Sequence, residues 1–180
     1  MERSRSITQA SEVPADTSLR VLAIPPVADS AGTYFVDLRL TDTAGAELST
    51  NLYWLSTHPD VLDLEHSTGF VTPVTTYADY SALGRLPLQR VNATATFTRS
   101  GDTGRARVTL TNPGKALAFF IRLQVKAGAD GDEVLPVEWS DNYVSLLPGE
   151  TRVLTADYSE RDLQGRQPVL SVSGWNVAKQ

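Results

Sequence analysis

Cysteine is absent from this chain of 180 residues, and histidine occurs only twice. The lack of cysteine excludes disulfides, thiolate metal sites and cysteine nucleophiles. The two histidines, His58 and His66, have no further His or Cys at the spacing of a zinc motif. Asp130-Gly131-Asp132 resembles the start of a calcium loop but lacks its later ligands. We therefore predict no metal and no cofactor.

Positive charge is also scarce, because 16 Lys and Arg face 21 Asp and Glu, for a net charge of −5. Nucleic-acid binders normally have a basic face, and anionic membranes attract dense Lys and Arg clusters. Neither feature is present, and no apolar run approaches the roughly 18–20 residues that span a bilayer. The start, Met1 to Ser6, has no apolar core of a secretory signal. We expect neither nucleic acid nor membrane as a partner.

A catalytic acid pair is missing as well. Glycoside hydrolysis needs two carboxyl groups about 5–10 Å apart, one of them with a raised pKa. The acids here lie on polar loops, and nothing in the surrounding sequence predicts an apolar pocket for them. We predict no catalytic residue in this chain. The acids considered are Asp60, Asp63, Glu65, Asp130, Asp132, Glu133, Glu138 and Asp141.

Alternating apolar residues are what the sequence has in abundance. Residues 33–41 alternate as a half-buried strand, a turn follows at 43–46, and residues 48–56 return as the second strand of a hairpin. Upstream, residues 18–24 are rich in Val, Leu and Ile and predict another strand, which ends at Pro25-Pro26. Three or four strands are too few to close a sandwich. The first half is therefore expected to pair with the second module, to pair with another copy of itself, or to have lost strands that lie upstream.

The regular pattern breaks between His58 and Pro87, where proline, glycine and polar residues predict a long connection. Residues 79–83 predict one helical turn with Asp79 as its N-cap. We interpret residues 66–87 as a linker between two modules.

The second half predicts a complete all-β domain over residues 88–178. Seven short strands at roughly 8–12-residue spacing are typical of an Ig-like β-sandwich. Leu147-Pro148-Gly149-Glu150 predicts a type II turn, because Pro and Gly occupy the positions that favour its two central conformations. The strands are expected at 89–99, 105–111, 118–126, 135–139, 143–147, 151–158 and 168–175.

Tryptophan and tyrosine are the residues with which sugar-binding modules stack pyranose rings. We expect Trp54 and Trp175 to be buried, since sandwich cores use Trp within strands. A short polar and aromatic stretch, Glu138 to Tyr143, allows two interpretations. It is a sugar-facing loop formed by Trp139, Asp141, Asn142 and Tyr143, or it is a tight turn capped by Asp141 and Asn142.

Two groups of short motifs resemble the C-terminal Ig-like domains of glycoside hydrolase family 2, of the exo-β-D-glucosaminidase and mannosylglycoprotein endo-β-mannosidase type. The first group is Asn51-Leu52-Tyr53-Trp54-Leu55-Ser56 with the following Tyr77-Ala78-Asp79. The resemblance covers most of residues 33–176, and its motifs recur in the same order. The second group comprises Thr111-Asn112-Pro113, Ala118 to Leu123, Trp139 to Tyr143, Leu147 to Glu150 and Val172 to Asn176.

The resemblance implies that residues 1–65 are the later strands of a penultimate Ig-like domain. In this family a (β/α)₈ barrel holds the catalytic glutamates, so none of them is carried over to this chain. The implied partners are that barrel and the other domains of a parent β-glycosidase, which is expected to be secreted or periplasmic. An open sheet edge also predicts a homodimer.

Three functions follow from these expectations. The first is a non-catalytic accessory region that supports the barrel of a β-glycosidase. The second is an autonomous carbohydrate-binding module, in which exposed Trp139, Tyr143 or Tyr77 contacts sugar. The third is an adhesion sandwich of the fibronectin kind.

Overall fold

The protein is represented by a computed structural model that describes residues 5–28 and 32–180. Residues 1–4, which begin the stretch considered above for a secretory signal, therefore lie outside the described residues. The chain divides into two compact units, and the boundary falls between Leu86 and Pro87. No helix among the described residues is long and apolar enough to cross a membrane.

The first unit contains an antiparallel hairpin, as its alternating sequence predicts. Strand β1 (Thr33–Thr41) pairs with β2 (Glu47–Ser56). The turn between them is stabilised by the Asp42 carboxylate, which accepts the backbone N–H groups of Ala44 (2.9 Å) and Ala46 (2.8 Å). An Asp side chain that accepts hydrogen bonds from the N–H groups of the following residues stabilises a turn locally.

The strand predicted at residues 18–24 is wrong, because that segment has no strand pairing in the structure. Its side chains are mostly exposed, including Leu19, Val21 and Ile24. A β-strand requires a neighbour that supplies the other half of each hydrogen bond. Local propensity for extended structure cannot provide that neighbour.

The rest of the first unit is a short hairpin and a 3₁₀ helix. Strand β3 (Val61–Leu62) pairs with β4 (Val74–Thr76), and the 3₁₀ helix follows at Ser81–Arg85. The helical turn was expected to begin at Asp79, and the helix starts two residues later. The Asp79 carboxylate still accepts the Ser81 N–H (2.8 Å), and this bond holds the pKa of Asp79 below its usual value.

The second unit is a seven-stranded sandwich of two antiparallel sheets. Four strands form one sheet in the order β5-β6-β10-β8, and three form the other in the order β11-β7-β9. This four-plus-three division is that of constant-type Ig domains, so the predicted all-β, Ig-like fold class is confirmed. The strands are β5 (Asn92–Ser100), β6 (Thr103–Thr111), β7 (Ala118–Ala127), β8 (Val137–Trp139), β9 (Val144–Leu146), β10 (Thr151–Ser159) and β11 (Pro168–Ser173).

The core of the sandwich lies between the two sheets and follows directly from period-two alternation. In β6 every second residue is buried, and in β7 the alternate aliphatic residues are fully buried. The type II turn predicted at residues 147–150 also forms, since Gly149 has φ 78° and the Glu150 N–H donates to the Leu147 carbonyl (3.0 Å). Fully buried aliphatic side chains include Val108, Leu110, Ile121, Leu123, Val125, Leu146 and Val172.

Two buried asparagines join the ends of the strands. The Asn112 amide nitrogen donates to the carbonyls of Ala116 (2.8 Å) and Leu146 (2.9 Å), and its side-chain oxygen accepts the Gly114 N–H (3.0 Å). Asn176 likewise accepts one backbone N–H and donates to two backbone carbonyls. Each amide satisfies backbone groups that strand pairing leaves without partners.

Candidate functional site

The loop predicted to face sugar connects β8, an edge strand of the four-stranded sheet, to β9 of the other sheet. Trp139 is the last residue of β8 and is half-buried, with its ring packed against the hydrophobic core. The backbone beyond it is held to β10, because Ser140 N–H donates to the Thr155 carbonyl (2.8 Å) and Thr155 N–H donates to Ser140 Oγ (2.9 Å). The Trp139 indole therefore contributes mainly to packing.

Asn142 uses its amide to extend the sheet. Its side-chain oxygen accepts the Leu123 N–H (2.9 Å), and its amide nitrogen donates to the Leu123 carbonyl (3.0 Å). The side chain thus replaces the backbone of a neighbouring strand at that position of β7. Asn142 therefore lies in the predicted loop, but its side-chain oxygen and nitrogen are both bonded to the Leu123 backbone.

Asp141 and Tyr143 are the exposed members of this loop. One Asp141 oxygen accepts the N–H of Asn142 (2.8 Å), and the other lies 3.7 Å from the Arg152 guanidinium. The Asp141 side chain is 55% exposed and Tyr143 is 47% exposed. These two side chains remain available to a ligand on this surface.

Tyr143 adopts an unusual backbone conformation that is repeated on the adjacent strand. Its φ is 55°, and Phe120 has φ 56°. Such left-handed conformations cost a non-glycine residue about 1–2 kcal/mol, and for bulky residues they are rare outliers. The register between β7 and β9 shifts in this region, between Ala118 and Ile121. The two rings lie against each other, with centroids 5.1 Å apart.

Trp175 is exposed (59%), so its expected burial is wrong. It follows the end of β11, where its N–H donates to the Phe119 carbonyl (3.0 Å). Period-two alternation could have predicted this exposure. Leu170 and Val172 point inward, and Trp175 lies an odd number of residues beyond them, on the opposite face of an alternating strand. Trp54 is also exposed (38%), so its expected burial is wrong as well.

A cavity of about 460 Å³ lies beside the 3₁₀ helix Glu160–Leu163 of the second unit. Its charged lining residues are largely paired, since Arg161 contacts Asp102 (2.6 Å) and Arg99 lies 3.7 Å from Glu160. The Tyr158 side chain also lines it, and its buried hydroxyl has no hydrogen-bond partner among the described residues. Burial, and secondly the Glu160 carboxylate, raise the pKa of the Tyr158 phenol.

Replacing Tyr158 with Phe is expected to increase the free energy of unfolding at neutral pH by about 1 kcal/mol, since it removes a buried hydroxyl without a partner. The pKa of the phenol in the folded protein lies above its usual 10.0, so the ionisation of Tyr158 does not change stability below pH 10.0, and stability falls as the pH rises from 10.0 through the folded pKa. Urea unfolding from pH 7 to 11 should show a smaller alkaline loss for Tyr158→Phe. A destabilised variant would indicate that the hydroxyl has a partner in solution.

Three of the residues considered as acids or metal ligands, Glu133, Asp63 and His66, have partners within the chain. Glu133 accepts hydrogen bonds from Arg122 (2.6 Å) and Gln124 (2.7 Å). His66 is paired with Asp63 at 2.7 Å. Across residues 5–28 and 32–180, no group of three or more His, Cys, Asp or Glu side chains is placed to hold a metal ion.

Together, the four-plus-three sandwich, the asparagine-bridged strand ends and the short motifs define a class of protein, an Ig-like module. Residues 69–177 match the family described as the exo-β-D-glucosaminidase Ig-fold domain. The chain belongs to that family. The resemblance to the C-terminal Ig-like region of glycoside hydrolase family 2 enzymes is thereby confirmed.

Sequence similarity to two glycosidases supports the same family assignment. The chain is 46% identical over 151 residues to an exo-β-D-glucosaminidase of Streptomyces avermitilis, covering 82% of this chain and 17% of the relative. It is 34% identical over 90 residues to a mannosylglycoprotein endo-β-mannosidase of Lilium longiflorum, covering 47% of this chain and 9% of the relative.

Among solved structures, the exo-chitosanase CsxA of Amycolatopsis orientalis has a similar fold. It superposes with a TM-score of 0.83 at 42% identity, over 89% of this chain and 19% of that one. The chain thus spans less than one fifth of the length of these glycosidases. What it matches is a small Ig-fold part, so the chain is a non-catalytic domain of the kind found in glycoside hydrolases.

Proposed function

We propose that this chain is a non-hydrolytic accessory region of a family 2 β-glycosidase of exo-β-D-glucosaminidase or β-mannosidase type, and that it supports a catalytic barrel. The observation that carries the proposal is the match of an Ig-fold domain to residues 69–177, within relatives that are more than five times longer than the matched part. Its partners are then the barrel and the neighbouring domains of that enzyme.

The first unit fits the same proposal as part of a second Ig-like domain. We propose that residues 1–65 are its later strands, that residues 66–87 are the connection, and that residues 88–178 are the last domain. The support is physical, since isolated two-stranded hairpins are only marginally stable in water. Leu83 is the one buried large apolar side chain among the described residues of this unit.

A chimeric enzyme tests the accessory role. The segment of Amycolatopsis orientalis CsxA that this chain matches is replaced by the chain itself, and thermal inactivation and kcat/KM are measured. We expect an active chimera, whereas an enzyme that lacks the segment should inactivate at a lower temperature. The chain alone should release no p-nitrophenol from an aryl β-D-glucosaminide.

A matched control is a chimera that carries Leu110→Ala, which weakens the core of the accessory domain. It should lower the inactivation temperature while leaving kcat/KM close to that of the parent chimera. Hydrolysis by the chain alone, or a segment-free enzyme as heat-resistant as the intact one, contradicts the accessory role.

We also propose that two copies of this chain can pair through the β1–β2 hairpin. One face of that hairpin places Leu38, Leu40 and Tyr53 outward, each between 44% and 59% exposed, without a charged residue among them. The opposite face carries the Asp37–Arg39 pair. Sedimentation at rising protein concentration should show dimers that Leu38→Glu abolishes and Thr50→Glu, on the opposite face, preserves.

The second candidate function is a carbohydrate-binding module that uses exposed aromatic side chains. Tyr143 and Tyr77 are exposed, as that function needs, while Trp139 is half-buried and Asn142 is engaged by the backbone. Asp141 remains accessible beside Tyr143. Contact between carbohydrate and the Trp139–Tyr143 loop is therefore proposed through Tyr143 and Asp141 only.

A further inference from the structure

An almost completely exposed phenylalanine lies in the loop that connects β3 to β4 in the first unit. We call residues 63–73 the Phe70 loop. Phe70 is 99% exposed, and Leu64 and Val71 of the same loop are 72% and 64% exposed. Single exposed apolar residues scattered over a surface are ordinary. Three of them within one short loop, one an aromatic residue with no burial, indicate a surface that another group covers.

The two sides of the Phe70 loop are joined by hydrogen bonds. At its base the Asp63 N–H donates to the Pro73 carbonyl (2.9 Å), and the Asp63 carboxylate accepts the His66 N–H (3.1 Å) and lies 2.7 Å from the His66 ring. Further along, the hydroxyls of Ser67 and Thr72 are 2.7 Å apart. The loop is therefore closed by its own polar groups.

The turn that carries Phe70 is fixed as well. The Thr68 N–H donates to the Val71 carbonyl (2.8 Å), and Thr68 Oγ1 accepts the N–H groups of Phe70 (3.3 Å) and Val71 (3.1 Å). A hydroxyl that bonds the backbone two and three residues ahead stabilises a turn. Phe70 thus has a fixed backbone and a free surface, and a preorganised group loses little entropy when it binds.

The size of this surface selects the occupant. A phenylalanine side chain can bury about 150–250 Å², whereas stable association of separate proteins buries about 800 Å² on each partner. The loop is therefore too small to hold a second copy or a separate protein. A contact of this size suffices within one polypeptide, because the tether supplies a high effective concentration. The chain spans less than one fifth of the length of the glycosidases that it matches, so enzymes of that kind have other domains to receive the loop.

Charge around the loop disfavours the other apolar occupant, a lipid surface. The sequence has no Lys or Arg between residues 40 and 84. Apolar segments that insert into anionic membranes are normally accompanied by basic residues. The nearby charged groups are instead mainly acidic, namely Asp60, Asp63, Glu65 and Asp79.

We propose that Phe70 is an anchor that docks the first unit into an apolar pocket on another domain of the parent glycosidase, with Leu64 and Val71 adding apolar contact around it. The existence of that parent rests on the proposed function, while the choice of Phe70 rests on the geometry of the loop. Neither a catalytic role nor a ligand is required of this residue.

Comparing Phe70→Ala in two settings tests the anchor. In the chain alone the substitution should leave the urea midpoint unchanged, since the side chain is 99% exposed. In the CsxA chimera described above it should speed thermal inactivation at a fixed temperature roughly tenfold, as loss of a buried aromatic anchor implies. An unchanged inactivation rate in the chimera overturns the anchor.

Two control variants separate docking from folding. Leu110→Ala should lower stability in both settings, because Leu110 lies in the core of the sandwich. Val153→Ala should change neither, because Val153 is 45% exposed on β10 and belongs to the other unit. If Val153→Ala speeds inactivation as much as Phe70→Ala, the chimera responds to the loss of any exposed apolar side chain and the anchor is wrong.

The role of the turn is tested by a double substitution. Thr68→Val removes the hydroxyl that accepts the Phe70 and Val71 N–H groups, so it should speed inactivation of the chimera. In the Phe70→Ala chimera it should add nothing further, because residues that act through one contact are not additive. A full additional effect overturns the claim that Thr68 acts by holding Phe70.

Hydroxyl-radical oxidation reports the burial of Phe70 directly. Phe70 should be oxidised readily in the chain alone and protected in the chimera, each measured against a phenylalanine peptide added to the sample. Equal oxidation in both overturns the anchor. If the native chimera is no more heat-resistant than the enzyme that lacks the segment, the accessory role itself fails. If that chimera is heat-resistant but Phe70 is exposed in it, the accessory role stands and only the anchor is lost.

Discussion

Replacing Leu110 with alanine is expected to lower the free energy of unfolding of the sandwich by about 3 kcal/mol. Leu110 is fully buried near the C-terminal end of β6, where it belongs to the hydrophobic core of the sandwich. Alanine removes apolar contacts and leaves a cavity that a two-sheet core closes only in part, because strand pairing holds both walls in place. Urea unfolding, followed through the amide signals of β7, measures the change.

The matched control for this change is Leu38→Ala in the β1–β2 hairpin. Leu38 is 44% exposed, so its truncation should alter the stability of the sandwich by less than about 0.5 kcal/mol. Equal effects of the two substitutions would show that the sandwich core does not have the packing described here.

Replacing Asn112 with alanine should have an effect of similar size for a different reason. The side chain is fully buried and makes three hydrogen bonds, to the Ala116 and Leu146 carbonyls and from the Gly114 N–H. Alanine leaves these buried backbone groups without partners, and an unsatisfied buried group costs about 1–3 kcal/mol. We expect a total loss of about 3 kcal/mol, since water entering the site recovers part of the cost.

Asn92→Ala serves as the control, because Asn92 is exposed on the edge strand β5. It should leave the urea midpoint of the sandwich nearly unchanged. Hydrogen exchange of the Gly114 amide gives an independent measurement, since its acceptor is lost only in Asn112→Ala. If Asn112→Ala retains native stability and native protection at Gly114, the bridging role is wrong.

The short motifs that carry the family resemblance acquire a physical meaning from these contacts. Asn112, Asn142 and Asn176 each belong to one of them, and each places its amide between backbone groups of neighbouring segments. An asparagine can serve this purpose because one side chain provides both a donor and an acceptor. These three asparagines therefore show how the sandwich is joined.

Within the candidate site, the sequence predicted the position of the loop but not the contacts that its residues make. The stretch from Trp139 to Tyr143 was identified from its polar and aromatic composition, and it does form an exposed loop between the two sheets. The roles inside it could not be predicted, since the pairing of Asn142 with Leu123 joins residues 19 positions apart. The neighbour relationship of Tyr143 and Phe120 likewise exists only once β7 and β9 are paired.

By itself, the sequence determined the all-β class, the seven strands of the last domain, the turn at Pro148-Gly149 and the family resemblance. Those features depend on local alternation and on turn residues, which act over a few neighbouring positions. The tertiary structure alone decided that residues 18–24 lack a strand partner and that Trp175 faces solvent. Both outcomes depend on which distant segment lies alongside, and local propensity carries no information about that neighbour.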